Sequence, residues 1–354
     1  MKIKLVLLEK DLNYLKRVVS AFETKYFDKL EIYSFSNKEK ALAKLAEERI
    51  DIMLASDLLG ISAADIPKRT SLAYLVDAGG IDIKDGCPAI SKYQKAELMY
   101  KQILGIYAEH SEAILGGLGV DNEDGGTQVV AFSSPCGGVG TSSLAAAFSL
   151  HAVRNGKRVL YLDLQKISAT DSLFSAEGQE CLSDIIYALK KRTNLAIKLE
   201  SCVKQDARGV FFFSQAKEAL DMMELSVDET ERLIQEIKAT GEYDYVVVDL
   251  DFSLDRVFLE LLKKMNRVVV VSDGSNIANA KISRAMNSIS IMDKKGDLPS
   301  TSNWGLFYNK FSNKVGRALE GVDLPRIGGA PRFERADAVQ VIEELSGLDA
   351  LGEI

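Results

Sequence analysis

Between Val129 and Ala145 the chain runs from a Val-rich apolar stretch into the turn Ser134-Pro135-Cys136-Gly137-Gly138-Val139-Gly140. It leaves through Thr141-Ser142-Ser143 into an Ala-rich run reaching about Arg154. Strand, glycine turn and helix start therefore follow one another in the order that a phosphate-binding loop needs. Gly137, Gly138 and Gly140 allow successive backbone N–H groups to face one concavity. The helix N-terminus adds partial positive charge, so the segment suits an anion such as polyphosphate. Ser142 stands where a hydroxyl can ligate Mg2+. A tight turn without a ligand is the alternative, and the sequence downstream weighs against it.

A chain of 354 residues is long for one hydrophobic core and predicts two domains. Both read as doubly wound α/β units. The first alternates apolar runs at Ile3 to Leu8, Leu30 to Tyr33, Ile50 to Ala55 and Leu72 to Val76 with helical patterns such as Leu12 to Phe22 and Lys38 to Glu47. The second has strand candidates at Val129 to Ser133, Val159 to Leu162, Val210 to Phe213, Tyr245 to Val248, Val268 to Val271 and Trp304 to Tyr308. Near-continuous Val-rich strands fit a parallel sheet covered on both faces. Glycines and the acidic cluster Asp121-Asn122-Glu123-Asp124 interrupt the pattern between them, which predicts domain 1–106, linker 107–127 and domain 128–354.

The segment around Gly140 resembles the deviant Walker A loop of the MinD/ParA ATPases, Lys-Gly-Gly-x-Gly-Lys-Thr/Ser. The resemblance implies that Cys136, Gly137, Gly138, Val139, Gly140, Thr141 and Ser142 cradle the phosphates of ATP. The family's first, signature lysine falls on Cys136 and its second on Thr141, so neither ammonium is present. Val159 to Gln165 resembles the family's second strand, whose terminal acid, here Asp163, positions the attacking water; a strand-end helix cap is the plainer reading. Tyr243 to Asp249 resembles Walker B, which makes Asp249 a Mg2+ ligand with Ser142, and Asp251 a candidate to assist. Trp304 to Lys310 resembles the late strand whose asparagine, here Asn309, pairs with adenine beside Lys310. Pro331, in Ile327 to Phe333, falls where the family lines the base. Binding is expected to outlast hydrolysis, because a backbone cradle survives while charge stabilisation in the transition state does not.

Residues 1 to 106 resemble a response-regulator receiver. Asp51 to Ser56 aligns with the strand that normally ends in the phosphorylated aspartate, which places Ser56 there, with Asp57 one residue late. Leu7-Leu8-Glu9-Lys10-Asp11 aligns with the paired acids, with Lys10 intruding, and Lys92-Tyr93 aligns with the Lys-Pro pair. A pseudo-receiver used for contacts follows. A receiver-like domain joined to a MinD/ParA-like domain without its lysines resembles the TadZ/CpaE family, which localises the tight-adherence (Flp) pilus secretion machinery. That resemblance implies a homodimeric, ATP-controlled positioning factor with little or no hydrolysis, concentrated at a cell pole or at the secretion machinery. It would recruit pilus-assembly proteins through its N-terminal domain.

The alternatives are an active ParA-type partitioning ATPase and a scaffold that binds no nucleotide. A net charge of −7 and pI near 5.2 weigh against a DNA-cycling protein, since phosphate surfaces reward clustered Lys and Arg. Four scattered cysteines, without a CxxC pair, and two histidines predict neither disulfides nor a soft metal site. The start, Met1 to Leu8, reads as a buried strand rather than a signal peptide, no apolar run is long enough to span a bilayer, and a cytoplasmic location is expected. His151 and Phe211-Phe212-Phe213 read as core, and Lys190-Lys191-Arg192 as solvated. The acidic run from Ala336 to Ile354 contains no lysine or arginine and so lacks the basic face of a membrane-docking helix.

Overall fold

The computed structural model describes residues 2–110, 126–294, 301–314, 316–334 and 336–354. Most of the expected linker lies outside these residues, and its first part, 107–110, continues a helix. Proximity divides the chain into two units that are not contiguous in sequence. One takes in Met1–Leu115 and Lys190–Cys202, the other Gly116–Leu189 and Val203–Ile354.

The first unit is built from β1 (Ile3–Leu8), α1 (Leu12–Lys25), β2 (Leu30–Phe35), α2 (Lys38–Glu47), β3 (Ile52–Ser56), β4 (Ser71–Val76), β5 (Ile83–Lys84), β6 (Cys87–Ser91) and α3 (Ala96–His110). Its strand order is β2-β1-β3-β4-β6-β5, with only the edge pair β5/β6 antiparallel. Side chains alternate between faces with period two. Leu5, Leu7 and Leu54 join Phe22 and Ile103 in one layer, whereas Val6, Leu8 and Met53 join Leu45 in the other. Asp11 and Asn37 start α1 and α2 by accepting backbone N–H groups of their first turns.

The second unit contains β7 (Gln128–Ser133), α4 (Thr141–Arg154), β8 (Val159–Asp163), α5 (Leu182–Lys191), β9 (Lys204–Gln205), β10 (Phe211–Phe212), α7 (Ala219–Met223) and α8 (Val227–Ala239). It continues with β11 (Tyr245–Asp249), α9 (Arg256–Lys263), β12 (Arg267–Ser272), α10 (Asn276–Lys294), β13 (Trp304–Phe311), β14 (Arg326–Pro331) and α11 (Ala338–Ser346). The sheet order is β14-β13-β12-β7-β11-β8-β10-β9, parallel except for β9. α4 is buried along nearly its whole length, from Leu144 to Ala152, between the sheet and α11. Its alanines permit that close approach. His151 is a packing residue, with Nδ1 3.0 Å from the Ser346 carbonyl. Phe212 is buried, while Phe211 packs under the guanidinium of Arg158. No described helix is long and apolar enough to cross a membrane.

The helix α6 (Leu195–Cys202) follows α5 in sequence but belongs to the first unit. There it packs on α3, with Ile197 against the core, Glu200 3.3 Å from Lys29 and 3.2 Å from the Tyr100 hydroxyl.

Candidate nucleotide site

The receiver-like unit carries the remnant of a site at the carboxyl end of its sheet. Ser56, at the end of β3, is buried, and Lys92 reaches within 3.4 Å of its hydroxyl. Lys92 also pairs with Glu9 at 2.8 Å and Asp77 at 2.9 Å. Burial opposes the ammonium, but these carboxylates outweigh it and raise its pKa. Asp57 pairs with Lys84, Asp11 caps α1, and Lys10 is exposed. An alcohol thus stands where the receiver resemblance places the acceptor carboxylate, and the neighbouring lysine is ion-paired.

In the second unit, β7 lies between β12 and β11, so the loop after it opens at the carboxyl end of a central strand, where open α/β sheets place ligands. Ser134 shapes the turn by donating to the Val271 carbonyl at 2.7 Å and accepting the Cys136 N–H at 3.1 Å. Gly138 and Gly140 adopt φ of 80° and 84°, the left-handed region that side chains avoid. Gly137 and Gly138 are exposed, Val139 is buried in the core, and Cys136, Thr141 and Ser142 are half-buried.

Parallel pairing sets Asp249 opposite Asp163 and also opposite Phe132, one residue before the loop region begins. Both acids are thereby brought to the loop. Asp249 is fully buried; its Oδ2 accepts the Tyr161 hydroxyl at 2.9 Å and its Oδ1 has no hydrogen-bond partner. Burial, and then the charge of Asp163, push its pKa up to about 7, against the neighbouring Ser142 hydroxyl and the Tyr161 hydrogen bond, which lower it. Tyr161 and Asp163 share a strand face two residues apart, a period-two relation that the sequence displays but that singles out no pair. The Ser142 hydroxyl donates to the Gln165 side chain at 3.2 Å.

Asp163 serves a different geometry from that of a group facing open solvent. Its Oδ1 accepts the Gln165 N–H at 3.0 Å, and its Oδ2 accepts the hydroxyls of Ser168 at 2.7 Å and Thr170 at 3.0 Å. Burial still raises its pKa despite these donors. The carboxylate thus organises the loop after β8, whereas the helix cap that the sequence suggested is not seen: the next α-helix, α5, starts only at Leu182. Asp251 likewise ties that loop, accepting the Lys166 N–H at 2.8 Å.

Asn309 and Lys310, at the end of β13, turn onto the phosphate loop. The Asn309 side chain, 2% exposed, donates to the carbonyls of Val139 at 2.9 Å and Gly140 at 3.2 Å, and accepts the Lys310 N–H at 3.0 Å. Its amide is committed to protein atoms rather than presented free to a base. Lys310 Nζ donates to the Gly138 carbonyl at 2.9 Å. Pro331, exposed, ends the adjacent β14 on the same side of the sheet. Lys166 and Arg332, the other basic residues near these segments, are both exposed.

The donor set fits Mg2+. Asp249 offers an unpartnered buried oxygen and Ser142 a neighbouring hydroxyl, both hard ligands. No cluster of three or more His, Cys, Asp or Glu that could hold a metal ion exists among the described residues.

Residues 1–108 match the family described as TadZ-like, receiver domain, and residues 127–299 match the family described as AAA domain. No match is found among curated proteins. A ParA family ATPase from Chlorobium tepidum is similar at 18% identity, covering 64% of this chain and 95% of its own, with a TM-score of 0.52. At that identity the likeness concerns the fold. A chain of the MinC:MinD cell division complex of Aquifex aeolicus is similar at 18% identity, over 62% of this chain and 86% of that one, with a TM-score of 0.47. The Pyrococcus horikoshii septum site-determining protein MinD, complexed with Mg-ADP, is similar at 16% identity over 62% and 94%, with a TM-score of 0.47.

Proposed function

We propose that this chain, in which a TadZ-like receiver domain at residues 1–108 precedes an AAA domain at residues 127–299, is an ATP-held positioning factor for the tight-adherence pilus machinery. The observation that carries the nucleotide part is the buried, unpartnered Asp249 Oδ1 beside Ser142 at the phosphate loop. A buried polar atom without a partner costs about 1–3 kcal/mol, a cost that a bound ion and its water would remove. Bound magnesium would neutralise phosphate charge there, held by Ser142 and Asp249.

What this chain's own residues do is bind and hold. The loop from Cys136 to Ser142 presents backbone N–H groups and a helix N-terminus to the phosphates of ATP, with Asn309 and Lys310 bonded to the carbonyls of that loop and Pro331 at the base end. Neither Cys136 nor Thr141 offers an ammonium to the charge that develops during phosphoryl transfer. Loss of one such stabilising group typically lowers turnover roughly a hundredfold or more. Bound ATP therefore persists as a state rather than as a fuel. In this reading ATP favours a homodimer, and the receiver domain, closed to phosphorylation by Lys92 and Ser56, acts as a constitutive contact surface for pilus-assembly proteins at a pole or at the secretion machinery.

The test mixes purified protein with equimolar labelled Mg-ATP and follows bound nucleotide and ADP together over several hours. Retention with little ADP is expected. Failure to retain nucleotide removes ATP from the mechanism and leaves a scaffold; rapid ADP formation restores the active ParA-type alternative. Thr141→Lys should raise ADP formation about tenfold or more by returning a phosphate-contacting ammonium. An unchanged rate in that variant locates the deficit at Cys136 or in the dimer.

A further inference from the structure

Lys310 adopts φ of +57° just where the β13/β14 register shifts between Tyr308 and Phe311. A lysine gains nothing locally from the left-handed region, and such strain persists where surrounding contacts impose it. The strained backbone aims Nζ at the Gly138 carbonyl, while Asn309 holds the next two carbonyls, Val139 and Gly140. The Gly140 carbonyl also accepts the Leu144 N–H at 3.0 Å as the first bond of α4. Two adjacent side chains from a distant strand thus take hold of three consecutive loop carbonyls.

In a trans peptide the C=O and the following N–H point to opposite sides. Drawing the carbonyls of Gly138, Val139 and Gly140 toward β13 turns the N–H groups of Val139, Gly140 and Thr141 the other way. Those are the donors that a phosphate cradle requires. We infer that Asn309 and Lys310 form a clamp that preorganises the phosphate loop, so that polyphosphate binding does not depend on the lysines missing at Cys136 and Thr141. Lys310 is then a positioning residue. It acts on the ligand through the loop backbone, and the anion it serves is the polyphosphate of a nucleotide. The inference rests on the nucleotide-binding reading above.

The experiment titrates Mg-ATP and, separately, Mg-tripolyphosphate into the full chain, its Lys310→Ala variant and its Lys310→Arg variant. Hydrogen exchange of Val139 to Thr141 is followed without ligand. Loss of a charge-assisted bond to the loop is expected to weaken both ligands by about tenfold or more, to speed exchange of those amides, and to be largely rescued by arginine, which still donates to Gly138. Weaker ATP binding with unchanged tripolyphosphate binding overturns the inference, since Lys310 would then touch only the base or ribose. Unchanged binding of both ligands overturns it as well, while leaving the nucleotide reading intact. A full chain that binds neither ligand overturns both.

Discussion

Gly140→Val lowers affinity for Mg-ATP by at least about a hundredfold, read by titration calorimetry on variant protein that keeps the parent's circular dichroism. Two effects act together. Gly140 sits at φ of +84°, where a β-branched residue is strained by roughly 1–2 kcal/mol. A Cβ there would also lie 2.5 Å from Asn309 Nδ2 and 3.1 Å from Lys310 Cε. Asn309 cannot swing aside freely, because its amide is bonded to Val139 and Gly140 and its oxygen to the Lys310 N–H. Either the loop or the end of β13 must move, and the cradle moves with it. Two factors of ten correspond to about 2.8 kcal/mol. Affinity unchanged by this substitution would mean that nucleotide binds elsewhere.

The second large effect concerns Asp249 and depends on pH. Its folded pKa, about 7, lies above the usual carboxylate value near 4. Below pH ~4 both folded and unfolded chains are neutral at this group, and nothing is lost. As pH rises toward ~7 the unfolded chain ionises first, so the unliganded protein loses stability through that window and levels off above it. Asp249→Asn removes the titrating group while its side-chain oxygen can still accept from Tyr161. At pH 8 and without ligand the variant should be more stable than the parent, by roughly 4 kcal/mol at most for a shift of about three pKa units, with the difference vanishing near pH 4. Saturating Mg-ATP should close most of that gap. A ligand at a hundred times its Kd adds about 2.7 kcal/mol to the parent, and the variant should lose most of that. Parallel melting curves from pH 4.5 to 8 for the two proteins would remove both the buried charge and the magnesium role.

Much of this was readable in advance where the signal is local. Six strand runs in the second unit were recognisable from Val-rich periodicity, although the one at Val210 to Phe213 shortens to Phe211–Phe212. β14 escaped notice because Gly328, Gly329 and Pro331 read as loop. In the structure Gly328 permits close approach, since a Cβ there would meet the Phe307 ring at 2.5 Å. The two-residue β5 is too short for a periodic signal, and in β6 Pro88 and the half-buried Cys87 and Ser91 leave only Ala89 and Ile90 as a buried apolar pair. At the site, glycines and strand-end acids were legible because their spacing is local. The pairing of Tyr161 with Asp249 was not, because it depends on the register between β8 and β11. Lys310 carries no mark in sequence of its positive φ, so its grip on Gly138 had no local signal either. Nor does the amphipathic pattern of α6 say which unit it covers.

That last element bears on biosynthesis. A ribosome emits the chain at roughly 5–20 residues per second, and domains ordinarily fold as they emerge. Here β1 through α3 leave the ribosome well before α6, the helix that covers Tyr100 and seats Ile197 against the same core. Until Cys202 has emerged, the face of α3 that α6 covers has no native cover. The nascent N-terminal segment therefore passes through an interval of exposed apolar surface, during which it is a natural client for a chaperone. Completion of the first unit thus waits until the chain has been made as far as Cys202, past β7 to α5 of the second.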